Sequence, residues 1–284
     1  MREPAYAGYF YPASENGLRT ALEDAFTGER GPGSMPQTKR KDRTVVAAVV
    51  PHAGYAFSGQ CAAWAYHAIA ASPQPDLFLL LGPNHNSMES GTSSETWKTP
   101  FGMVRADQDF VRALVAKGTI RLDDEIMARE HSLEVQVPFL QLLDEKAKIV
   151  PIMLSEDADL QRLAIDIKET LVEQGKKAII IASSDFTHHG PDYRYVRFTQ
   201  HPQEQIAAFD KQMINLITER KPDEFLAFVE QELATVCGAR AITLLLKLLK
   251  PRATAKLEQY YTSAEVTGDE KNSVSYAAIV FEER

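Results

Sequence analysis

The sequence predicts an α/β fold with a largely parallel central sheet flanked by helices. From residue 44 onward, short apolar runs alternate with stretches that carry apolar residues at helical spacing. The runs are apolar at nearly every position, which is typical of strands covered on both faces. Alternation of this kind indicates βαβ units, in which a helix joins each strand to the next parallel strand.

The elements follow in chain order. Residues 14–27 place Leu18, Leu22 and Phe26 at helical spacing, and Ser14 is a suitable N-cap. Four strands of the parallel sheet are predicted at 44–50, 76–82, 148–154 and 176–183. Further helices are predicted at 58–71, 107–117, 131–146, 158–174, 203–218, 222–231 and 238–250.

Three segments depart from the βαβ pattern. Residues 93–107 predict a hairpin excursion, because two strand-like pieces flank the turn-forming TPFG. Runs 257–264 and 272–281, separated by TGDEKN, predict a C-terminal antiparallel strand pair. Residues 28–43 are rich in Gly, Pro and charge and predict an exposed loop. Only one helix precedes this loop, so we expect a single domain over residues 1–284.

Composition excludes several classes of protein. With 44% hydrophobic and 25% charged residues the chain resembles an ordinary globular protein. A net charge of −8 argues against nucleic acid as a partner, since phosphate binding needs clustered Lys and Arg. No signal-peptide pattern is present, and no run approaches the roughly 18 apolar residues of a membrane span. We therefore expect a cytoplasmic protein that does not enter a membrane, with Cys61 and Cys237 as free thiols.

Histidines follow three of the predicted strands. Strand 44–50 leads to His52, strand 76–82 leads to His85, and strand 176–183 leads to Asp185, His188 and His189. A single histidine in such a turn is commonly just hydrogen-bonded to the loop. Ligands of open α/β sheets, however, bind at the carboxyl ends of the strands, where these turns meet. The sequence therefore predicts one site that collects these side chains.

The residue types favour a metal site. Two histidines and one anionic ligand, with open positions, form the arrangement that non-haem Fe(II) oxygenases use. The third ligand is either Asp185 or Cys237, which begins helix 238–250, where a helix N-terminus lowers a thiol pKa. Cys237 is equally interpretable as a buried small hydrophobe. In EHSLE, His131 follows Glu130 at a helix start, and Val135 excludes the HExxH motif of zinc proteases.

Six segments in this order resemble one known family. They are REPAYAGYFYP, VVPHAGYAFSG, LLGPNHN, EHSLEVQVPFLQ, ASSDFTHHG and VCGARAI, which span residue 2 to about 242. The chain thus resembles the Memo-like family, labelled AmmeMemoRadiSam system protein B in bacteria and archaea. The resemblance implies a fold similar to class III extradiol dioxygenases, which are non-haem iron enzymes.

The same resemblance implies residue roles and partners. Metal-binding positions fall on His52, His85 and Cys237, and Asp185, His188 and His131 line the same pocket. A cysteine replaces the carboxylate ligand of the dioxygenases, so ring cleavage is not implied. The family label implies AMMECR-type and radical SAM proteins as partners.

Three functions are compatible with these residues, and whether the protein is an enzyme stays open. In the first, Fe(II) or Cu is held for redox chemistry, His188 is the acid or base and Asp185 orients it. In the second, no metal is bound and Cys237 is the nucleophile of a hydrolase, with a histidine base. In the third, a metal-free pocket binds a phosphopeptide or small anion, with Arg194, Arg197 and Tyr193 facing the ligand.

Overall fold

Ten strands form the central sheet in the part of the chain that the structure, a computed structural model, describes: residues 1–38 and 42–283. The strands are β1 Val45–Val50, β2 Leu77–Pro83, β3 Gly91–Thr92, β4 Trp97–Thr99, β5 Gly102–Ala106, β6 Lys148–Leu154, β7 Ala178–Ser183, β8 His188–His189, β9 Thr254–Thr262 and β10 Ser273–Glu282. Their order is β4-β5-β6-β2-β7-β1-β10-β8, with β3 paired to β6 and β9 paired to β10.

Helices cover both faces of this sheet. They are α1 Glu15–Thr27, α2 Tyr55–Ala70, α3 Gln108–Ala116, α4 Asp124–Met127, α5 His131–Glu134, α6 Val137–Leu143, α7 Leu160–Glu173, α8 Pro202–Thr218, α9 Pro222–Gln231, α10 Ala239–Leu248 and α11 Ser263–Thr267. No helix in the described residues is both long and apolar enough to cross a membrane.

The parallel centre of the sheet confirms the predicted fold class. Strands β5, β6, β2, β7 and β1 lie side by side in this order and are parallel to one another. Along β1, Ala48 and Val50 pack into the core on the side of α1 and α2, while Ala47 and Val49 pack into the core on the opposite side. Burial of both faces explains why the strand sequences are almost wholly apolar.

The predicted hairpin and C-terminal strand pair are both present. Strands β4 and β5 are antiparallel, and β5 also pairs in parallel with β6, so the hairpin extends the edge of the sheet. Strand β10 is antiparallel to both β9 and β1 and lies between them. The short helix α11 occupies part of the connection between β9 and β10.

Two local expectations need revision. The predicted helix 131–146 is broken into α5 and α6, because Pro138 has no N–H to bond to the carbonyl of Glu134. The predicted exposed loop 28–43 has no helix or strand between residues 29 and 38, but it packs on α2. There the indole N–H of Trp64 donates to the carbonyl of Arg30 (2.8 Å). Residues 39–41 of this loop lie outside the described residues.

Candidate metal centre

The turns that carry the histidines meet at one edge of the sheet. Strands β2, β7 and β1 are parallel neighbours, so their carboxyl ends lie side by side. His52 follows β1 and His85 follows β2, while Cys237 comes from the turn before α10. Ligand atoms of these three residues all lie within 4.8 Å of one another. The structure therefore brings together the two histidines and the thiol named from the sequence.

A hydrogen-bond chain sets the tautomer of His52. The Ser183 hydroxyl donates to the carbonyl of Ser132 (2.6 Å), so it accepts from Gln136 Nε2 (2.8 Å) and from His52 Nδ1 (3.0 Å). The Tyr66 hydroxyl donates to Gln136 Oε1 (2.7 Å), which fixes the orientation of the amide. His52 therefore carries its proton on Nδ1 and presents the lone pair of Nε2 to the site, 3.1 Å from the Cys237 sulfur.

A buried carboxylate orients His85 in the same way. Glu130 accepts from His85 Nδ1 (2.8 Å), from the backbone N–H of His85 (2.8 Å) and from the backbone N–H of Ser132 (2.9 Å). Burial raises the pKa of Glu130, but the hydrogen bond and charge of His85 outweigh it and lower the pKa to about 2. The carboxylate oxygens are occupied by donors, so Glu130 positions His85 and leaves Nε2 of that ring for a metal.

His131 forms a wall of the site. Its ring stacks on His85 (centroids 4.6 Å apart), lies 5.3 Å from His52, and is covered outside by Phe10 (4.6 Å) and Tyr6 (5.3 Å). Burial lowers the pKa of His131 to about 4, so the ring is neutral near pH 7. This candidate thus lies at the site as expected, packed between aromatic rings.

The Cys237 thiol differs from the sequence-based expectation. Burial and the nearby Asp185 carboxylate raise its pKa, so the expected lowering by the start of α10 is wrong. Burial, together with the neighbouring histidines, also holds the pKa of His52 well below its usual range. The resting pair is therefore a neutral thiol beside a neutral imidazole. This differs from the thiolate and imidazolium pair of a cysteine nucleophile.

Asp185 supports the site through the backbone. Its Oδ1 accepts from the backbone N–H of His52 (2.8 Å), and burial raises the pKa of its carboxyl. The ring of His188 is instead held by its Nδ1, which hydrogen-bonds to the carbonyls of Phe186 and Thr235 (both 3.0 Å). The expectation that Asp185 orients His188 is wrong, because the loop carbonyls take that role. No described residue hydrogen-bonds to Nε2 of His188.

The three residues predicted to face an anion, Tyr193, Arg194 and Arg197, are poorly arranged to bind one. Arg197 forms an ion pair with Glu232, and its guanidinium lies 4.6 Å from the ring centroid of Phe209. Its charge is therefore already paired. Tyr193 places its ring against His188 (5.3 Å, near-perpendicular). Arg194 is exposed in a left-handed backbone conformation (φ 52°). Nothing in this group forms a buried basic pocket.

Sequence reasoning missed Glu130, Ser183 and Gln136 as parts of the site. Glu130 stands beside His131 in EHSLE, a pattern that by itself indicates only the charged start of a helix. Ser183 ends a strand in ASSDFTHHG. Their function depends on partners 45 or more residues away in sequence, which local patterns do not reveal.

Comparison with known proteins identifies relatives of this chain over nearly its whole length. The sequence profile described as Memo-like protein matches residues 2–280. A MEMO1 family protein of Methanopyrus kandleri is 37% identical, covering 99% of this chain and 98% of that protein. A MEMO1 family protein of Thermococcus kodakarensis is 38% identical and covers 99% of both chains.

One solved structure also shares the fold. The crystal structure of the uncharacterized Escherichia coli K12 protein JW3007 aligns with a TM-score of 0.54 and 14% identity, covering 82% of this chain and 98% of that one. At this identity the likeness concerns the fold alone. The sequence profile and the two relatives match nearly the whole chain. The protein therefore belongs to the Memo-like family.

Proposed function

We propose that the protein binds a redox-active transition metal, Fe(II) or Cu, through His52 Nε2, His85 Nε2 and Cys237 Sγ. The observation that carries the proposal is the convergence of one ligand atom from each of these residues within 4.8 Å, with His52 Nε2 only 3.1 Å from the Cys237 sulfur. Both imidazoles have Nδ1 engaged, which leaves Nε2 as the ligand atom in each. Imidazole and thiolate are ligands that iron and copper accept.

The residues around these ligands support chemistry on a bound substrate. The metal, when bound, would supply electron transfer and Lewis acidity, and three protein ligands leave coordination positions open. The His188 ring is held through Nδ1, so its Nε2 is the atom we propose for proton transfer with a substrate, and His131 walls off one side. Asp185 holds the backbone of His52 in place. We propose a metal-dependent oxidoreductase-type site on this basis.

The two metal-free alternatives have less support. A cysteine nucleophile needs an accessible thiolate, but burial raises the Cys237 pKa and Ser183, instead of a carboxylate, contacts His52 Nδ1. An anion-binding pocket needs uncommitted cations, but Arg197 already pairs with Glu232. A bound divalent cation, by contrast, would stabilise the thiolate form of the half-buried Cys237.

Metal content tests the proposal. Wild-type protein and the double variant His52→Ala, His85→Ala are purified from cells grown with added iron or copper, and metal per chain is measured. We expect close to one metal per chain in the wild type and a loss of most of it in the variant. His201→Ala, an exposed histidine outside the site, is the control. Equal metal content in wild type and double variant would refute the proposal.

Family membership also supports a proposal about the cellular context. We propose that AMMECR-type and radical SAM proteins are partners in the cytoplasm. Affinity purification of the tagged chain from its native host, followed by mass spectrometry, tests this. Enrichment of neither protein class over an untagged control would contradict it.

A further inference from the structure

A cavity lies at the end of the sheet opposite the metal centre. It has a volume of about 870 Å³ and is formed where β1 and β7 begin, between the last turns of α7 and α10. The metal ligands lie where the same strands end, roughly 20 Å away for six-residue strands at about 3.3 Å per residue. Its size is that of a ligand-binding cavity.

The walls of this cavity are aliphatic. Its floor is formed by Val45, Ile180 and Leu248, all largely buried, and Leu249 adds to one side. Val172, on α7, lies at the rim with 80% of its surface exposed, which is unusual for a large apolar side chain. Among the described lining residues there is no aromatic ring. The surface therefore suits a flexible alkyl chain better than a flat ring that would stack.

The opening is basic, although the whole chain is acidic. Lys168, Lys176, Lys177 and Lys250 line it, against a single carboxylate, Glu283. This local charge contrasts with the net charge of −8 and favours an anionic group at the opening.

Two of these lysines already have acidic partners. Lys250 pairs with Glu283 (2.8 Å) and Lys176 pairs with Asp107 (2.7 Å). Lys177 is exposed and forms no ion pair with any described residue, so its charge is available.

Without the lysines, the helix C-termini at this cavity would repel an anion. Helices α7 and α10 both end at this cavity, and a helix C-terminus carries partial negative charge. Lys168 offsets it, since its Nζ donates to the carbonyl of Lys247 near the end of α10 (2.6 Å). With the end of α10 compensated in this way, the remaining positive charge at the rim, that of Lys177, can attract a carboxylate.

We propose that this cavity binds a free long-chain aliphatic carboxylate. The alkyl chain lies along Val45, Ile180 and Leu248, and the carboxylate remains at the opening near Lys177. Val172 is covered when the ligand is bound. The proposal is independent of the metal centre.

Isothermal titration calorimetry with dodecanoate, below its critical micelle concentration, tests this. We expect saturable binding with one site per chain, and at least tenfold weaker binding of dodecyltrimethylammonium, which has the same tail and the opposite charge. The His52→Ala, His85→Ala double variant should bind dodecanoate like the wild type. No saturable binding, binding only above the micelle concentration, or equal binding of the two amphiphiles would overturn the proposal.

Substitutions at two exposed positions test whether dodecanoate binds in this cavity. Val172→Glu should weaken dodecanoate binding at least tenfold, with Leu233→Glu, another exposed apolar position (76%), as its control. Lys177→Glu should weaken it about fivefold, as expected for one partly screened charge. Lys146→Glu, also exposed and away from the cavity, is the matched charge control. Equal affinities of Val172→Glu and Leu233→Glu would overturn the assignment.

Discussion

The orientation of His85 depends on Glu130. The Glu130 carboxylate accepts hydrogen bonds from both the ring Nδ1 and the backbone N–H of that histidine. Glu130→Gln keeps the shape but replaces one acceptor oxygen with a donor. We expect metal affinity to fall by about 10–100-fold, the usual cost of losing a carboxylate that supports a histidine ligand. Competition with a chromogenic chelator measures it.

The control for this change is Glu145→Gln, an exposed carboxylate outside the site. Thermal unfolding of both metal-free variants shows whether the fold survives. An affinity of Glu130→Gln within twofold of the wild type, in a folded protein, would show that Glu130 does not support the ligand.

The Cys237 thiol makes metal binding depend on pH. Its pKa is raised by burial, so the thiol is protonated at neutral pH and must lose its proton when a metal binds. The pKa of His52 is lowered, so that ring is already neutral and releases nothing. Affinity should therefore rise with pH, by up to about tenfold per unit between roughly pH 6 and 8.

Calorimetry in two buffers of different ionisation enthalpy gives the number of protons released. We expect about one per metal in the wild type and close to zero in Cys237→Ser. An affinity that does not change with pH over this range would mean that no thiol is deprotonated on binding.

At the residue scale the sequence predicts which side chains come together, but not the direction of their pKa shifts. His52 and His85 were identified because each follows a buried strand, and parallel strands end at one edge. The raised pKa of Cys237 was missed because burial depends on the packing of α10 against residues 183–185, far away in sequence. Glu130 was missed for the same reason, since its partner His85 lies 45 residues earlier.

At the scale of elements, α10 approaches the end of β7 so closely that only glycine fits between them. A Cβ on Gly238 would lie 2.4 Å from the carbonyl oxygen of Ser183 and 2.5 Å from Ser184 Cβ. Gly238→Ala should therefore push the start of α10, and Cys237 with it, away from the histidines. We expect at least tenfold weaker metal binding and a loss of about 1–3 kcal/mol in unfolding free energy.

The matched control is Gly59→Ala in α2, where the nearest atom to a new Cβ would be at an ordinary 3.4 Å. Alanine is favoured over glycine inside a helix, so this variant should be as stable as the wild type or more so. Chelator competition and chemical denaturation of the two variants give both quantities. Unchanged metal affinity in Gly238→Ala would mean that the position of α10 does not limit the site.

The strands of the sheet were largely predictable, whereas short elements were not. Continuous apolar runs marked β1, β2, β6 and β7, because burial on both faces leaves a strong local signal. Helix α4 has only four residues and β8 has two, which is too short for any periodicity. The break between α5 and α6 was not predicted, because the apolar spacing continues across Pro138.

At the scale of the whole molecule, a buried ion pair between Arg2 and Glu134 anchors the N-terminal segment beside the metal centre. Arg2 and Glu134 are 2.7 Å apart with side chains 2% and 1% exposed, and Arg2 also donates to the carbonyls of Met127 and Glu130. Arg2→Ala leaves the Glu134 charge buried without its partner, so we expect a loss of about 3–5 kcal/mol in unfolding free energy.

Chemical denaturation measures this loss. The control is Arg19→Ala, whose ion pair with Glu15 is exposed and should be worth less than about 1 kcal/mol. Similar destabilisation by the two substitutions would contradict the role given to the Arg2 pair in fastening the N-terminal segment.

X-ray absorption spectroscopy of the iron- or copper-loaded protein is the most direct test of the metal centre, because it reports the atoms bound to the metal. We expect one sulfur and at least two imidazole nitrogens in the wild type, and loss of the sulfur in Cys237→Ser. A ligand shell with no sulfur, or one unchanged in Cys237→Ser, would contradict a centre built from His52, His85 and Cys237.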